Sequence, residues 1–122
     1  MKLVQHELES EALRRFLHQH PDDERVTSTL ARVEVVGGVL SGASPAVAHA
    51  RRQLARVHQI VMDVEVLDLA ATLAPGLRIR TLDAIHLATA QMLGADLRAV
   101  VTYDQRMATA ASTRSLGVVA PN

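Results

Sequence analysis

Apolar positions recur along the chain at two different spacings, and the alternation between them predicts the elements of the fold. In residues 10–20 (SEALRRFLHQH), Leu13, Phe16 and Leu17 fall three and four apart behind Ser10 as an N-cap, marking an amphipathic helix that Pro21 stops. Residues 2–6 read as a helical fragment. The polar run at residues 21–24 is a turn, residues 25–28 form a short strand, and residues 29–40 form a second helix closed by Gly42 and Pro45. Gly37 and Gly38 interrupt that helix, each at a cost of about 1 kcal/mol relative to Ala. Residues 46–60 predict a third helix, with Val47, Ala50, Leu54, Val57 and Val61 in an apolar stripe and Arg51, Arg52 and Arg56 outside it.

Residues 64–67 are a strand candidate, followed by helical sequence at residues 67–73 that runs up to Pro75 and Gly76. A further helix, capped by Thr81 or Asp83, extends through Met92 and ends at Gly94. It is apolar almost all round, which predicts central packing rather than a surface position. The run AVVTY at residues 99–103 lacks alternation, as a parallel strand buried on both faces does. A helix at residues 104–111 and a last strand at residues 117–120 complete the series. Short apolar strands alternating with helices define an α/β chain.

Composition narrows the class. The 122 residues fit one domain. Apolar residues make up 48% and charged residues 21%, and no apolar run is long enough to span a bilayer, which predicts a soluble protein. The sole aromatic residues, Phe16 and Tyr103, exclude a base-stacking platform. Lys plus Arg and Asp plus Glu number 13 each, so steering of a polyanion by net charge is weak, although Arg outnumbers Lys twelve to one and can pattern locally. The absence of cysteine excludes disulfides, thiolate chemistry and Cys-based metal sites. Glu7, Glu9 and Glu11 break up the start of the chain before any apolar core of a signal peptide, so a cytoplasmic protein is expected.

Most of the acids sit in hydrophilic sequence, but Glu34 in LARVEVVGGVL, Asp83 in TLDAIHLATA and Asp104 in AVVTYDQRM are embedded in apolar stretches, where an uncompensated carboxylate is costly. Helix capping accounts for Asp83 and Asp104 as well as a site does, and Glu34 either faces solvent beside Arg32 or needs a cation. If the strands are parallel, Asp83 and Asp104 lie at the sheet edge where open α/β folds place their sites, and Glu34 approaches from a neighbouring helix. Grouped carboxylates suit Mg2+ or Mn2+, which can activate a water and offset charge developing on a phosphodiester. Thr102 can hydrogen-bond a ligand carboxylate or a water, or simply fill a strand. Arg106 can contact phosphate, or lie on the surface of a first helical turn. His86, three residues after Asp83, shares a face with it and either orients that carboxylate or packs in the core. The six histidines show no zinc-ligand spacing, and there is no phosphate-binding glycine loop or nucleophile elbow.

LDAIHLATA followed about twenty residues later by VVTYDQRM, together with ESEALRRFL and TSTLARVEVVGGVL, resembles the PIN-domain ribonucleases of the VapC toxin family over essentially the whole chain. The resemblance implies a three-layer α/β/α domain with a central parallel sheet and a Mg2+- or Mn2+-dependent endoribonuclease acting on RNA. It also implies a cognate VapB-like antitoxin and a homodimer, with no membrane association. Residue by residue, it assigns the family's metal-binding acids to Glu34, Asp83 and Asp104, its threonine or serine to Thr102, and recurrent polar positions to His86 and Arg106. The family's opening strand carries a further aspartate, and no match to it exists here, since Lys2 aligns with the end of that segment. The expectation is therefore an α/β/α fold with its first strand missing, in a chain that is truncated or begins at a misassigned start. Two functions compete with metal-dependent cleavage: an impaired PIN-like domain that binds an antitoxin or RNA without cutting, and a plain interaction domain whose acids are caps.

Overall fold

The computed structural model describes residues 2–5, 11–32 and 44–121. In chain order these form β1 (Lys2–Gln5), α1 (Glu11–Gln19), β2 (Glu24–Ser28), α2 (Ser44–Ala55), β3 (His58–Ile60), α3 (Val64–Leu77), α4 (Thr81–Met92), β4 (Leu97–Val101), α5 (Gln105–Thr113) and β5 (Val118–Val119). Residues 30–32 open a further helical turn after β2. The five strands form one sheet in the order β3-β2-β1-β4-β5, and every pairing is parallel.

The chain does have a strand at the centre of its sheet, contrary to the expectation from the sequence. Lys2–Gln5 pairs with β2 through Leu3↔Arg25 and Val4↔Val26, and with β4 through Leu3↔Ala99 and Val4↔Val100. Four residues carry too little periodicity to fix a helix. The inner edges of β2 and β4 would otherwise expose unpaired N–H and C=O groups, and one short strand satisfies both.

The apolar residues of β4 show how the layers form. Val100 joins a core cluster with Val66, Ala70 and Leu73 of α3, Ala84, Leu87 and Ala88 of α4, and Met107, Ala110 and Ala111 of α5. Its neighbours Ala99 and Val101 join Leu13 and Leu17 of α1 in a second cluster. Period-two alternation along one strand thus feeds both faces of the sheet, as an α/β/α sandwich requires. Helix α4 fulfils its apolar pattern: Ala84 through Ala90 are all buried, with Leu87 fully enclosed. Thr89 satisfies its hydroxyl within that helix by donating to the Ile85 carbonyl at 2.8 Å.

Two boundaries differ from the pattern-based assignment. The third predicted helix stops at Ala55 and residues 58–60 turn into β3, because Val26↔His58 and Ser28↔Ile60 pairing completes the open edge of β2. Residues 64–67 are helical rather than extended, since Asp63 caps α3 by accepting from the Val66 N–H at 2.9 Å. Helix α3 also runs through Pro75 and Gly76 to Leu77, Pro75 forfeiting one N–H donor in the last turn. Arg78 then ends it in the left-handed conformation, φ 55°, with its N–H bonded to the Ala74 carbonyl. The predicted features at Gly37, Gly38 and Gly42 lie outside the described residues.

Candidate functional site at the carboxyl edge

Parallel strands place all their carboxyl ends along one edge of a sheet, and loops leaving that edge are where open α/β folds gather their polar groups. Here the edge is formed by the ends of β1, β2 and β4 at Gln5, Ser28 and Val101. Beyond β4, the buried Thr102 donates its N–H to the Val119 carbonyl at 3.0 Å, which ties the strand end to β5. Its Oγ1 accepts the Asp104 N–H at 3.1 Å. Asp104 caps α5, with Oδ1 accepting from the N–H groups of Arg106 at 2.8 Å and Met107 at 3.2 Å. A carboxylate at this position satisfies orphan donors and complements the helix dipole. Thr102, Asp104 and the backbone of Arg106 therefore make one connected turn. The Arg106 side chain is exposed beside it.

Asp83 reaches the same edge from another element. Helix α4 ends with only the short 3-10 turn Gly94–Asp96 between it and β4, so it runs antiparallel to that strand. Its first turn therefore stands about 18 Å away, at the carboxyl edge. Leu30, two residues past β2, belongs to the same core cluster as Ala84 and Ile85, and α4 packs against β2. Asp83 is half-buried in the first turn and His86 is buried one turn further on, and each is engaged with neighbouring groups. The N-cap is Arg80, which makes no side-chain capping bond, so neither Thr81 nor Asp83 fills the capping position. The preceding residues are already extended at Arg80, and helical geometry begins at Thr81.

The structure thus sets Asp83 and Asp104 on separate elements along one edge, joins Thr102 to Asp104 directly, and buries His86 on the helix that carries Asp83. Glu34 lies outside the described residues. Sequence reading missed Ser28, which is fully buried at the end of β2 and accepts the Leu30 N–H at 3.2 Å to open the following helical turn. The serine immediately before TLARV is the signal that marks it.

Oxygen donors such as Asp83 and Asp104 are the type that hard cations take. Among the described residues, however, no group of three or more His, Asp or Glu side chains is arranged to hold a metal ion.

Residues 1–112 match the PIN domain, which gives the class of protein that this sheet and edge define. The chain is 50% identical over 123 residues to ribonuclease VapC46 of Mycobacterium tuberculosis, covering 100% of this chain and 92% of that protein. It is 39% identical to ribonuclease VapC35 of the same species, covering 99% and 90%. The chain therefore belongs to the VapC ribonuclease family of PIN-domain proteins. Among solved structures, it matches a chain of a toxin-antitoxin complex from Klebsiella pneumoniae with a TM-score of 0.73 at 19% identity, covering 100% and 98% of the two chains. A chain of VapBC-1 from nontypeable Haemophilus influenzae matches with a TM-score of 0.67 at 12% identity, covering 97% and 96%. These two likenesses are of fold.

Proposed function

We propose that this chain acts as a VapC-family domain with impaired cleavage, binding a VapB-like antitoxin or RNA in the cytoplasm without efficiently cutting the RNA. The observation that carries this reading is the central strand. Lys2–Gln5 (KLVQ) occupies the middle of the sheet and contains no acidic residue, so this strand contributes no carboxylate to the edge. Asp104 is meanwhile engaged through Oδ1 as a helix cap. The solved toxin-antitoxin complexes of the same fold support the antitoxin half of the proposal. No helix among the described residues is long and apolar enough to cross a membrane.

A second reading, a Mg2+- or Mn2+-dependent endoribonuclease with Glu34, Asp83 and Asp104 as ligands, is favoured by one observation. Asp83 and Asp104 stand at a single sheet edge in a chain 50% identical to a ribonuclease. In that reading the acids hold the ion, Thr102 fixes the turn that carries Asp104, and His86 and Arg106 flank the acids. Expression in a host without the antitoxin separates the two. The impaired reading expects growth to continue while the purified chain still captures antitoxin or RNA. Growth arrest that Asp83→Asn and Asp104→Asn relieve would establish the second.

A further inference from the structure

Aromatic side chains are so scarce in this chain that the place of each is informative: there is no tryptophan, one phenylalanine and one tyrosine. Phe16 serves the fold. It packs against the cluster of Leu13, Leu17, Ala99 and Val101, and its ring centroid lies 4.4 Å from that of His20. Tyr103 is 39% exposed and stands between Thr102 and Asp104, where β4 runs out at the carboxyl edge. The backbone is held on either side of it. The Thr102 N–H donates to the Val119 carbonyl at 3.0 Å, the Thr102 Oγ1 accepts the Asp104 N–H at 3.1 Å, and Asp104 caps α5. The one exposed aromatic residue of the chain is thus carried by a braced turn on the edge that also holds Asp83 and Asp104.

We infer that Tyr103 is a specificity-determining residue that takes one unpaired nucleobase by stacking. The inference rests on the RNA-binding reading above and assigns it a contact to a base. Every base has a π-face, and stacking on an aromatic side chain requires neither a hydrogen-bond code nor a cation. The charges of this edge favour such a contact, because Asp83 and Asp104 repel an anion, whereas a base carries no net charge. A lone ring makes no platform for successive bases, so one base is held and its neighbours are left unstacked. The braced turn fixes the residue beforehand, which reduces the freedom lost when a base settles on it. The 50% identity to a ribonuclease favours a base over a side chain of a protein partner as the occupant.

Fluorescence anisotropy with two labelled probes, in EDTA so that binding alone is read, tests the assignment. One probe is single-stranded oligoadenylate, and the other is an abasic ribose-phosphate oligomer of the same length and charge. The wild type is expected to bind the oligoadenylate about tenfold more tightly, as one stacked base allows. Tyr103→Leu keeps an apolar side chain without the ring, and is expected to lower oligoadenylate binding to the abasic level while leaving the abasic probe unaffected. Tyr103→Phe is expected to keep the preference. A folding defect weakens both probes together, so the ratio separates it from a lost stacking contact. Equal wild-type affinity for the two probes, or a preference that survives in Tyr103→Leu, overturns the assignment and leaves the RNA-binding reading standing. Failure of the wild type to bind either probe overturns both. A Tyr103→Leu variant that keeps the base preference but no longer holds a co-expressed antitoxin gives the residue to the protein partner instead.

Discussion

The two ends of the sheet use carboxylates in opposite ways. At the amino edge, Asp23 just before β2 is clasped by the Arg98 guanidinium at the start of β4, whose Nη2 donates at 3.2 Å. Glu24 and His58, which open β2 and β3, pair at 3.4 Å. The first contact spans β1 to link β2 with β4, the second links the neighbouring β2 and β3, and the hydrogen bond from Arg98 chiefly holds the Asp23 carboxyl below the usual carboxylate range. At the carboxyl edge, Asp104 is held by backbone N–H groups, and its turn is braced by the Thr102 hydroxyl. Paired charges at one end fasten the sheet. At the other end, among the described residues, no salt bridge joins Asp104 to a cation.

The largest expected effect comes from breaking the brace at the carboxyl edge. Thr102→Val leaves the Asp104 N–H without its acceptor in a buried strand end, at an expected cost of about 1–3 kcal/mol in denaturant unfolding. Asp104→Ala removes the cap itself and is expected to cost about 1 kcal/mol, whereas Asp104→Asn retains it, because Asn caps as well as Asp. A thermal melt of the Asn variant close to wild type would make it the clean probe of charge at this edge.

The amino edge gives the smallest effect, and one that depends on pH. Because the Asp23 carboxyl is held low in the folded state, its stabilising contribution is present above its unfolded pKa. It is lost as pH falls through the folded value. Asp23→Asn is expected to lower the melting temperature at neutral pH and to flatten its decline in the acid range below the usual carboxylate values. Identical acid profiles for wild type and variant would remove the contrast between the edges.

How far the sequence revealed this arrangement depended on where the information was stored. The central helix was legible because TLDAIHLATA is apolar on every side, and burial of Ala84 through Ala90 follows directly. Asp104 was legible as a cap because it stands between an apolar strand and a helix, and its bonds to Arg106 and Met107 realise that role. β1 and β3 were not legible. KLVQ and HQI are too short for a period to register, and they become strands because flanking strands supply the backbone partners. Asp63 was hidden by the strand assignment of residues 64–67, although an Asp ahead of an apolar helical run is itself a capping signal. The Asp23 to Arg98 contact joins residues 75 positions apart, and no local pattern carries such a pairing.

Impaired cleavage in a VapC-family fold is what we propose for this chain. It is tested most directly by incubating the purified 122-residue chain with end-labelled RNA and Mg2+ or Mn2+, reading binding and cleavage from the same samples. Impaired cleavage predicts RNA that is bound yet remains essentially intact, with the same cleavage background in wild type, Asp83→Asn and Asp104→Asn. Efficient cleavage that requires the metal and disappears in both variants would contradict it.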